Sequence, residues 1–409
     1  MSPLDVYLKG CLVGSLEESA DGLLFVYKED YLRSAEPECL SHVLPLRREP
    51  YVGSDVEAYF SNLLPDDYVR TRIGEILKIP RENTFALLEA IGGDCAGAVA
   101  FYPRGTTPTS EVQDYRRLED AEAVRILADL EKRPLNVGDE GFRISGAGAQ
   151  DKLVACVRDG HVWLPLYGTP STHIIKPDIR NYPGSVLNEW FCMSLAATCG
   201  HDVAGCGVLP LCGERYYVTT RYDRENVGGV TRRLHQEDFC QLLRIDPRHK
   251  YESQGGPGLS ECLQLLRALE LSAAETVMFL ERVVFNFLVG NGDAHGKNFS
   301  VLYQGRRCSL APMYDIMSTA IYPEVGKRMA MKIDGEYSFK WMTTGKFLRM
   351  AKSQGLGEKV LLSILRRQCA KIRKASPKLV ERCARHHPSL VYETIVKGVE
   401  QRCAQLDLG

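Results

Sequence analysis

The hydrophobic pattern changes in the middle of the chain, and this change limits the possible folds more than any other feature of the sequence. From residue 136 to residue 224, short segments alternate apolar and polar residues as strands do, interrupted by one helical segment, Ser185–Thr198. Beyond Leu234 the spacing is largely helical to the C-terminus, apart from a hairpin at Phe299–Leu310. The first 135 residues mix strands with helices. We therefore predict an α+β fold with an appended N-terminal domain at 1–135, a β-rich lobe at 136–224 and an all-helical lobe at 225–409.

Length, charge and cysteine spacing narrow the class of protein. A chain of 409 residues exceeds what one hydrophobic core usually serves, so at least two lobes are expected. Its 51 Lys and Arg residues against 52 Asp and Glu leave a net charge of -1, which argues against general coating of nucleic acid. We find neither a secretory leader nor an apolar segment of membrane-spanning length, and the 14 cysteines include no Cys-x-x-Cys pair. These features predict a cytoplasmic protein with reduced thiols and no membrane contact.

A glycine-containing loop at 289–300 carries the strongest chemical signal. It follows an apolar helical segment, precedes a strand, and places Asp293 and Asn298 five residues apart. Protein kinases use this spacing in their catalytic loop, where the aspartate accepts the proton of the substrate hydroxyl and the asparagine holds a magnesium ion. Lys297 would neutralise phosphate charge between them. The alternative is an ordinary loop in which both side chains satisfy backbone N–H groups.

A second aspartate strengthens the kinase interpretation. Asp315 follows Asp293 by 22 residues and comes after a predicted hairpin, which is where kinases place their metal-binding aspartate. No Phe-Gly follows Asp315, and this excludes an ordinary eukaryotic kinase. A helix N-cap at Asp315 is the alternative. A β-rich half that leads into a helical half is also the layout of two-lobed kinases.

The β-rich lobe contains candidates for the nucleotide side of such a site. A small-residue loop lies between two predicted strands at 145–151, where backbone N–H groups could approach phosphates, although many loops of this kind are simple hairpin turns. Lys176 ends a short strand and could pair with phosphates, with Glu189 on the following helix as its carboxylate partner. The alternative for Lys176 is a solvated strand end. The segment Thr220–Tyr222 would be a hinge that contacts adenine through backbone groups.

Taken in order, these segments resemble the HipA family of toxin kinases. The resemblance extends over nearly the whole chain, in segments 58–65, 144–152, 172–177, 188–189, 220–224, 234–238, 291–298 and 310–315. It implies a serine/threonine kinase that uses ATP and Mg2+, with Asp293 as the catalytic aspartate and Ser145 as an autophosphorylated serine. It implies ATP contacts from Gly146, Ala147, Gly148, Ala149, Gln150, Asp151, Lys152, Lys176, Thr220, Arg221, Tyr222, His295, Gly296, Lys297, Asn298 and Asp315. It also implies Mg2+ ligands at Asn298 and Asp315, with Glu189 in a supporting role.

The same resemblance implies partners and a cellular role. They are a small HipB-like helix-turn-helix antitoxin, operator DNA bound through the antitoxin complex, and a function in persistence. The implied protein substrate is an aminoacyl-tRNA synthetase, such as glutamyl-tRNA synthetase. Thr220 stands where the resemblance to the family implies glutamate. Gly146 would make the phosphate loop more flexible than the Ser-Val or Ser-Ile start that is usual in the family. Two alternatives stay open: a small-molecule phosphotransferase, and a weakly catalytic co-repressor scaffold that binds the antitoxin.

One further basic segment bears on DNA binding. A helical stretch near the C-terminus places several cations close together, and the expected interpretation is a solvated helix face rather than a supporting DNA contact. Its members are Arg366, Arg367, Lys371, Arg373, Lys374, Lys378, Arg382 and Arg385.

Overall fold

A computed structural model of the chain describes residues 2–106, 113–138, 141, 143–305 and 307–408. These residues form two compact units, each built from separate stretches of the chain. Unit 1 comprises Met1–Pro177, Leu209–Arg248 and Val301–Cys308. Unit 2 comprises Asp178–Val208, His249–Ser300 and Ser309–Gly409. Among the residues described, no helix is both long and apolar enough to cross a membrane.

The N-terminal part of unit 1 is a five-stranded antiparallel sheet. Its strands lie in the order Tyr51–Val52, Gly22–Tyr27, Cys11–Ser19, Leu4–Leu8 and Val99–Pro103. The helices of this part are Glu29–Leu32, Ser54–Ser61, Asp67–Leu77 and Thr84–Ile91. Phe25, Phe60 and Phe101 are fully buried, and the ring of Phe60 lies 5.7 Å from that of Phe25 and 5.6 Å from that of Phe101. These rings form the centre of its hydrophobic core.

The second sheet of unit 1 contains residues that are predicted to contact the nucleotide. Its six strands lie in the order Cys206–Leu211, Glu214–Thr220, His173–Lys176, Leu153–Arg158, His161–Pro165 and Tyr115–Arg117. Unit 1 also contains the helices Asp120–Asp129 and Phe239–Leu242, the 3-10 turn Pro134–Asn136 and the hairpin Arg224–Val227 with Val230–Arg233. A three-stranded sheet adds Gln236–Asp238, Ser300–Gln304 and Arg307–Leu310. The predicted strands of the 136–224 segment that end at Lys176 and near Thr220 are therefore present.

Unit 2 is mostly helical. Its helix Ala273–Val289 begins with a capping box formed by Ser272 and Glu275, and it ends at Gly290, whose φ of 75° stops the helix. This helix is followed directly by the loop that holds Asp293. The other helices of unit 2 are Ser185–Thr198, Leu259–Ala268, Thr344–Ser353, Glu358–His386 and Val391–Gln405, with 3-10 turns at Glu252–Gln254, Gly296–Asn298, Thr319–Ile321 and Phe339–Trp341.

The C-terminal part is not all-helical as predicted. Besides the expected hairpin, strands Arg328–Ile333 and Glu336–Ser338 pair antiparallel within unit 2. Asp334 and Gly335, both with positive φ, connect them in the manner of a two-residue hairpin turn. Strand Arg328–Ile333 has only six residues, which is too short for its alternation to stand out from the longer helical segments that follow it. The α+β class itself is as predicted.

Candidate active site

The loop after helix Ala273–Val289 is held by asparagine side chains. Asn291 donates its backbone N–H to Asn286 O at 2.8 Å and its Nδ2 to Asn286 Oδ1 at 2.9 Å, and its own Oδ1 accepts the N–H of Asp293 at 3.0 Å. The N–H of Gly292 donates to Thr319 Oγ1 at 2.8 Å. A Cβ atom at Gly292 would lie 2.5 Å from Arg328 O, so the backbone approach requires glycine. The position of Asp293 is thus set by the two residues that precede it, Asn291 and Gly292.

Asp293 and Asn298 meet at this loop, as predicted from their spacing. Asn298 Nδ2 donates to Asp293 O at 2.7 Å, and His295 N donates to the same oxygen at 2.8 Å. The side chain of Asp293 is 44% exposed, whereas His295 is buried with its Nε2 3.8 Å from Asp293 Oδ1. Because the amide nitrogen of Asn298 is used by the loop, its oxygen is the atom suited to a cation. A carboxylate open to solvent and a neutral oxygen ligand therefore lie on one short loop.

The segment that carries Asp315 is fixed against the same loop. Tyr314 OH donates to Lys297 O at 2.7 Å and lies 2.5 Å from Ser300 Oγ. Asp315 itself has a φ of 56°, in the left-handed region that aspartate tolerates better than most residues. No helix begins at Asp315, so the N-cap alternative does not apply. A small cavity in unit 2 is lined by Asn291, Asn298, Tyr314 and their neighbours.

In unit 1, the predicted phosphate loop packs on the N-terminal residues. Gly148 O accepts the N–H of Asp66 at 3.2 Å, and Asp151 Oδ2 accepts the hydroxyl of Tyr68 at 2.8 Å. Lys152 Nζ donates to Ala147 O at 2.5 Å, closing the loop on itself. Burial raises the pKa of Asp151, and the Tyr68 hydroxyl opposes that rise. The loop has a compact conformation that its glycines allow.

Ser145, Gly146 and Gly148 occupy special positions in this loop. Gly146 and Gly148 have φ values of 49° and 105°, which favour glycine. Ser145 is 0% exposed, and its N–H donates to Asp94 O at 3.2 Å. The predicted autophosphorylation site is therefore buried in this conformation.

Lys176 and the predicted hinge lie on neighbouring strands of unit 1. Lys176 pairs with Tyr217 in the sheet, and its Nζ lies 5.6 Å from the centre of the Tyr217 ring. Thr220 is the last residue of the adjacent strand and pairs with His173. Lys176 is 6% exposed, so it is not a solvated strand end. Glu189 is buried on a helix of unit 2, and its pairing with Lys176 stays a prediction.

A buried ionic network in unit 1 has no counterpart among the predictions. Asp94, 0% exposed, accepts hydrogen bonds from Arg224 Nη2 at 2.8 Å, Arg233 Nε at 3.1 Å and Arg221 Nη1 at 3.2 Å. Asp223 Oδ2 lies 2.7 Å from Arg221 Nη2 and 3.0 Å from Arg224 Nη1. Burial by itself would raise the pKa of Asp94, but the guanidinium groups outweigh it and hold that pKa below its ordinary value. The side chain of Arg221 is thus part of this network, and its backbone N–H donates to Thr172 O at 2.8 Å.

The comparisons with known proteins agree with one another over most of the chain. Residues 4–102 match the model of the HipA N-terminal domain, and residues 144–376 match that of the HipA-like C-terminal domain. The chain is 39% identical over 386 residues to the putative kinase Y4mE of Sinorhizobium fredii, covering 93% of this chain and 91% of that protein. It is 30% identical over 394 residues to the serine/threonine-protein kinase toxin HipA of Shewanella oneidensis, covering 92% and 89%.

A solved structure gives the same result for the fold. The structure of the Shewanella oneidensis MR-1 toxin–antitoxin system HipA, HipB and its operator DNA complex matches with a TM-score of 0.84 and 28% identity, covering 98% of this chain and 97% of that one. The predicted kinase-like fold is thereby confirmed. The chain belongs to the HipA family of toxin protein kinases.

Proposed function

We propose that the chain transfers the γ-phosphoryl group of ATP to a serine or threonine hydroxyl of a protein, with Asp293 as the catalytic aspartate. The supporting observation is the rigid loop that presents a half-exposed Asp293 carboxylate beside the oriented amide of Asn298. Asp293 accepts the proton of the attacking hydroxyl. Bound Mg2+ would supply positive charge at the phosphates, held by Asn298 and Asp315, whose oxygens are the ligand type that this ion prefers.

The remaining predicted residues would hold the nucleotide. Backbone N–H groups of the 146–152 loop and the amines of Lys152, Lys176 and Lys297 would contact phosphates, as would His295 and Gly296. Backbone groups of Thr220–Tyr222 would contact adenine. An ATP-dependent toxin acts where ATP and its target are present, so we expect a cytoplasmic location.

Single-turnover transfer with radiolabelled ATP and Mg2+ tests this proposal. Asp293→Asn should keep nucleotide binding while transfer falls about 100-fold or more, because proton abstraction by a positioned side chain contributes roughly 100- to 10,000-fold. Asp315→Ala should weaken both nucleotide binding and transfer. The exposed Asp129, in unit 1, supplies the control variant Asp129→Asn, which should change neither. Undiminished transfer by Asp293→Asn would contradict the catalytic assignment.

For the substrate, we propose an aminoacyl-tRNA synthetase, such as glutamyl-tRNA synthetase. The support is the family to which the chain belongs. A lysate of the host incubated with the enzyme and radiolabelled ATP should yield a labelled band of synthetase size, identified by mass spectrometry. Label that enters only small molecules would favour a small-molecule phosphotransferase instead.

We also propose a helix-turn-helix antitoxin as partner, with operator DNA bound through the complex. The solved relative is a complex of HipA, HipB and operator DNA, and the net charge of -1 gives this chain little attraction for DNA of its own. On helix Glu358–His386, Arg367 pairs with Glu281 and Arg373 with Glu400, which reduces the basic face. A mobility shift across a salt series should show tight operator binding only when the antitoxin is present. Nanomolar binding by the chain alone would contradict this.

A further inference from the structure

Tyr251 lies directly beside the proposed catalytic group, within unit 2. Its hydroxyl donates a hydrogen bond to Asp293 Oδ1. Its ring stands edge-on to the imidazole of His295, with ring centres 4.9 Å apart and an interplanar angle of 88°. Tyr251 therefore contacts two residues of the catalytic loop although 42 positions separate it from Asp293 in the chain. No motif in the sequence indicated this contact.

The backbone around Tyr251 is tightly folded. Tyr251 O accepts the N–H groups of Gln254 and Gly256, both at 2.9 Å. A Cβ atom at Gly256 would lie 2.8 Å from Lys250 C and 2.8 Å from Tyr251 O, so only glycine allows the chain to turn back so closely. The backbone of Tyr251 thus lies in a turn closed by two hydrogen bonds, and a side chain at position 256 would clash with that turn.

The next residue fastens this turn to a strand of unit 2. Glu252 Oε2 accepts the backbone N–H of Lys332 at 2.6 Å, and Glu252 Oε1 lies 3.1 Å from Lys332 Nζ. Lys332 belongs to strand Arg328–Ile333, and Arg328 O is the atom against which Gly292 packs. The turn of Tyr251 and the loop of Asp293 are therefore anchored on the same strand, which fixes the hydroxyl relative to the carboxylate.

We propose that Tyr251 is a positioning residue for Asp293, an inference that rests on the proposed kinase function. The hydrogen bond to Oδ1 fixes the rotation of the carboxylate and leaves Oδ2 as the oxygen that accepts the substrate proton. In the transfer step, the substrate oxygen forms its bond to the γ-phosphorus while the bond from that phosphorus to the bridging oxygen of ADP breaks. The hydroxyl proton passes to Asp293 Oδ2, and Tyr251 keeps its own proton.

Tyr251→Phe is the decisive variant, because it removes the hydroxyl and keeps the ring against His295. A hydrogen bond to a charged group corresponds to roughly a 10- to 100-fold change in rate, so kcat should fall by about that factor. KM for ATP, the nucleotide dissociation constant and Tm should stay within experimental error, since no nucleotide contact is lost. Tyr392→Phe is the matched control, because the Tyr392 hydroxyl also donates one hydrogen bond in unit 2, to His387 O at 2.9 Å. It should leave kcat unchanged.

Each contrary outcome has a definite meaning. A kcat of Tyr251→Phe within twofold of wild type would refute the positioning role, and so would a raised kcat, since the hydroxyl would then be an obstacle to the substrate. A fall in kcat that is matched by a fall in Tm and in nucleotide affinity would also refute it, in favour of a structural role. Transfer that Asp293→Asn does not reduce would refute the proposed function itself, so the two failures are distinguishable.

Discussion

At the scale of single residues, the surroundings of Ser145 restrict its modification. Its side chain is fully buried, and its backbone N–H is bonded to Asp94 O in the N-terminal part of unit 1. A phosphate adds roughly -1.5 to -2 charges and three acceptor oxygens, which this buried position cannot hold. Autophosphorylation at Ser145 therefore requires the loop to leave its present position, and a loop that has left can no longer contact ATP phosphates.

We predict that protein made with an intact Asp293 carries one phosphate, at Ser145, and that the phosphorylated fraction has lost nucleotide binding. Intact-mass analysis followed by peptide mapping locates the phosphate, and protein made as Asp293→Asn should lack it. Ser145→Ala should keep its Tm and its nucleotide affinity, because the change removes only one buried hydroxyl. A phosphate found elsewhere, with Ser145 unmodified, would contradict the prediction.

At the scale of elements, the junction between helix Ala273–Val289 and its following loop determines the site geometry. The helix ends at Gly290, and the loop then packs against Thr319 and Arg328. At Gly292 there is room for a hydrogen atom but not for a side chain. Hydrogen bonds of the loop's backbone and of the Asn291 and Asn298 side-chain amides hold the loop in place. A change of backbone shape here should therefore move Asp293 without removing any functional group.

We predict that Gly292→Ala lowers the rate of phosphoryl transfer by at least tenfold while the rest of unit 2 stays folded. A Cβ atom would lie 2.5 Å from Arg328 O and 2.8 Å from Thr319 Oγ1, so the loop must shift, and small misplacements of catalytic groups cost about 100-fold in rate. Gly345→Ala is the control, because its Cβ would meet the exposed end of the Arg349 side chain, at 3.3 Å. Equal activity of both variants would show that the loop tolerates the shift.

At the scale of the molecule, the ionic network around Asp94 links the two family domains within unit 1. Asp94 lies in the segment that matches the HipA N-terminal domain, whereas Arg221, Arg224 and Arg233 lie in the segment that matches the C-terminal domain. All four side chains are buried or nearly so. Burial is the main cause that lowers the pKa of Arg224 to about 10, and the like charge of Arg221 adds to this effect. Arg224 is still charged at neutral pH.

We predict that Asp94→Asn destabilises unit 1 strongly. Removing one partner of a buried ion pair costs roughly 3–5 kcal/mol, since the opposite charge stays buried without compensation. Urea unfolding followed by circular dichroism measures the loss. Glu381→Gln removes an exposed helical ion pair with Arg385 and should leave the unfolding midpoint nearly unchanged. An Asp94→Asn midpoint equal to that of Glu381→Gln would show that the network adds no stability.

Local pattern in the sequence determined several elements and part of the site. Helix Ser185–Thr198 has the predicted bounds, the predicted strand ends at Lys176, and the hairpin predicted at Phe299–Leu310 forms as strands Ser300–Gln304 and Arg307–Leu310. Their spacing and flanking residues lie close together in the chain, and such short-range information can be read from sequence. Asp293 and Asn298 meet for the same reason, because five residues in one tight loop cannot place them far apart.

Only the tertiary structure decided which distant residues meet. The contacts of Tyr251 with Asp293 and of Asp94 with Arg233 join positions 42 and 139 apart. Nothing in the sequence near Tyr251, Asp94 or Arg233 distinguishes these three residues from ordinary surface or loop positions. Whether a side chain at one position finds a partner depends on how strands and helices pack, and packing is governed by the apolar surface of the entire unit rather than by any local motif.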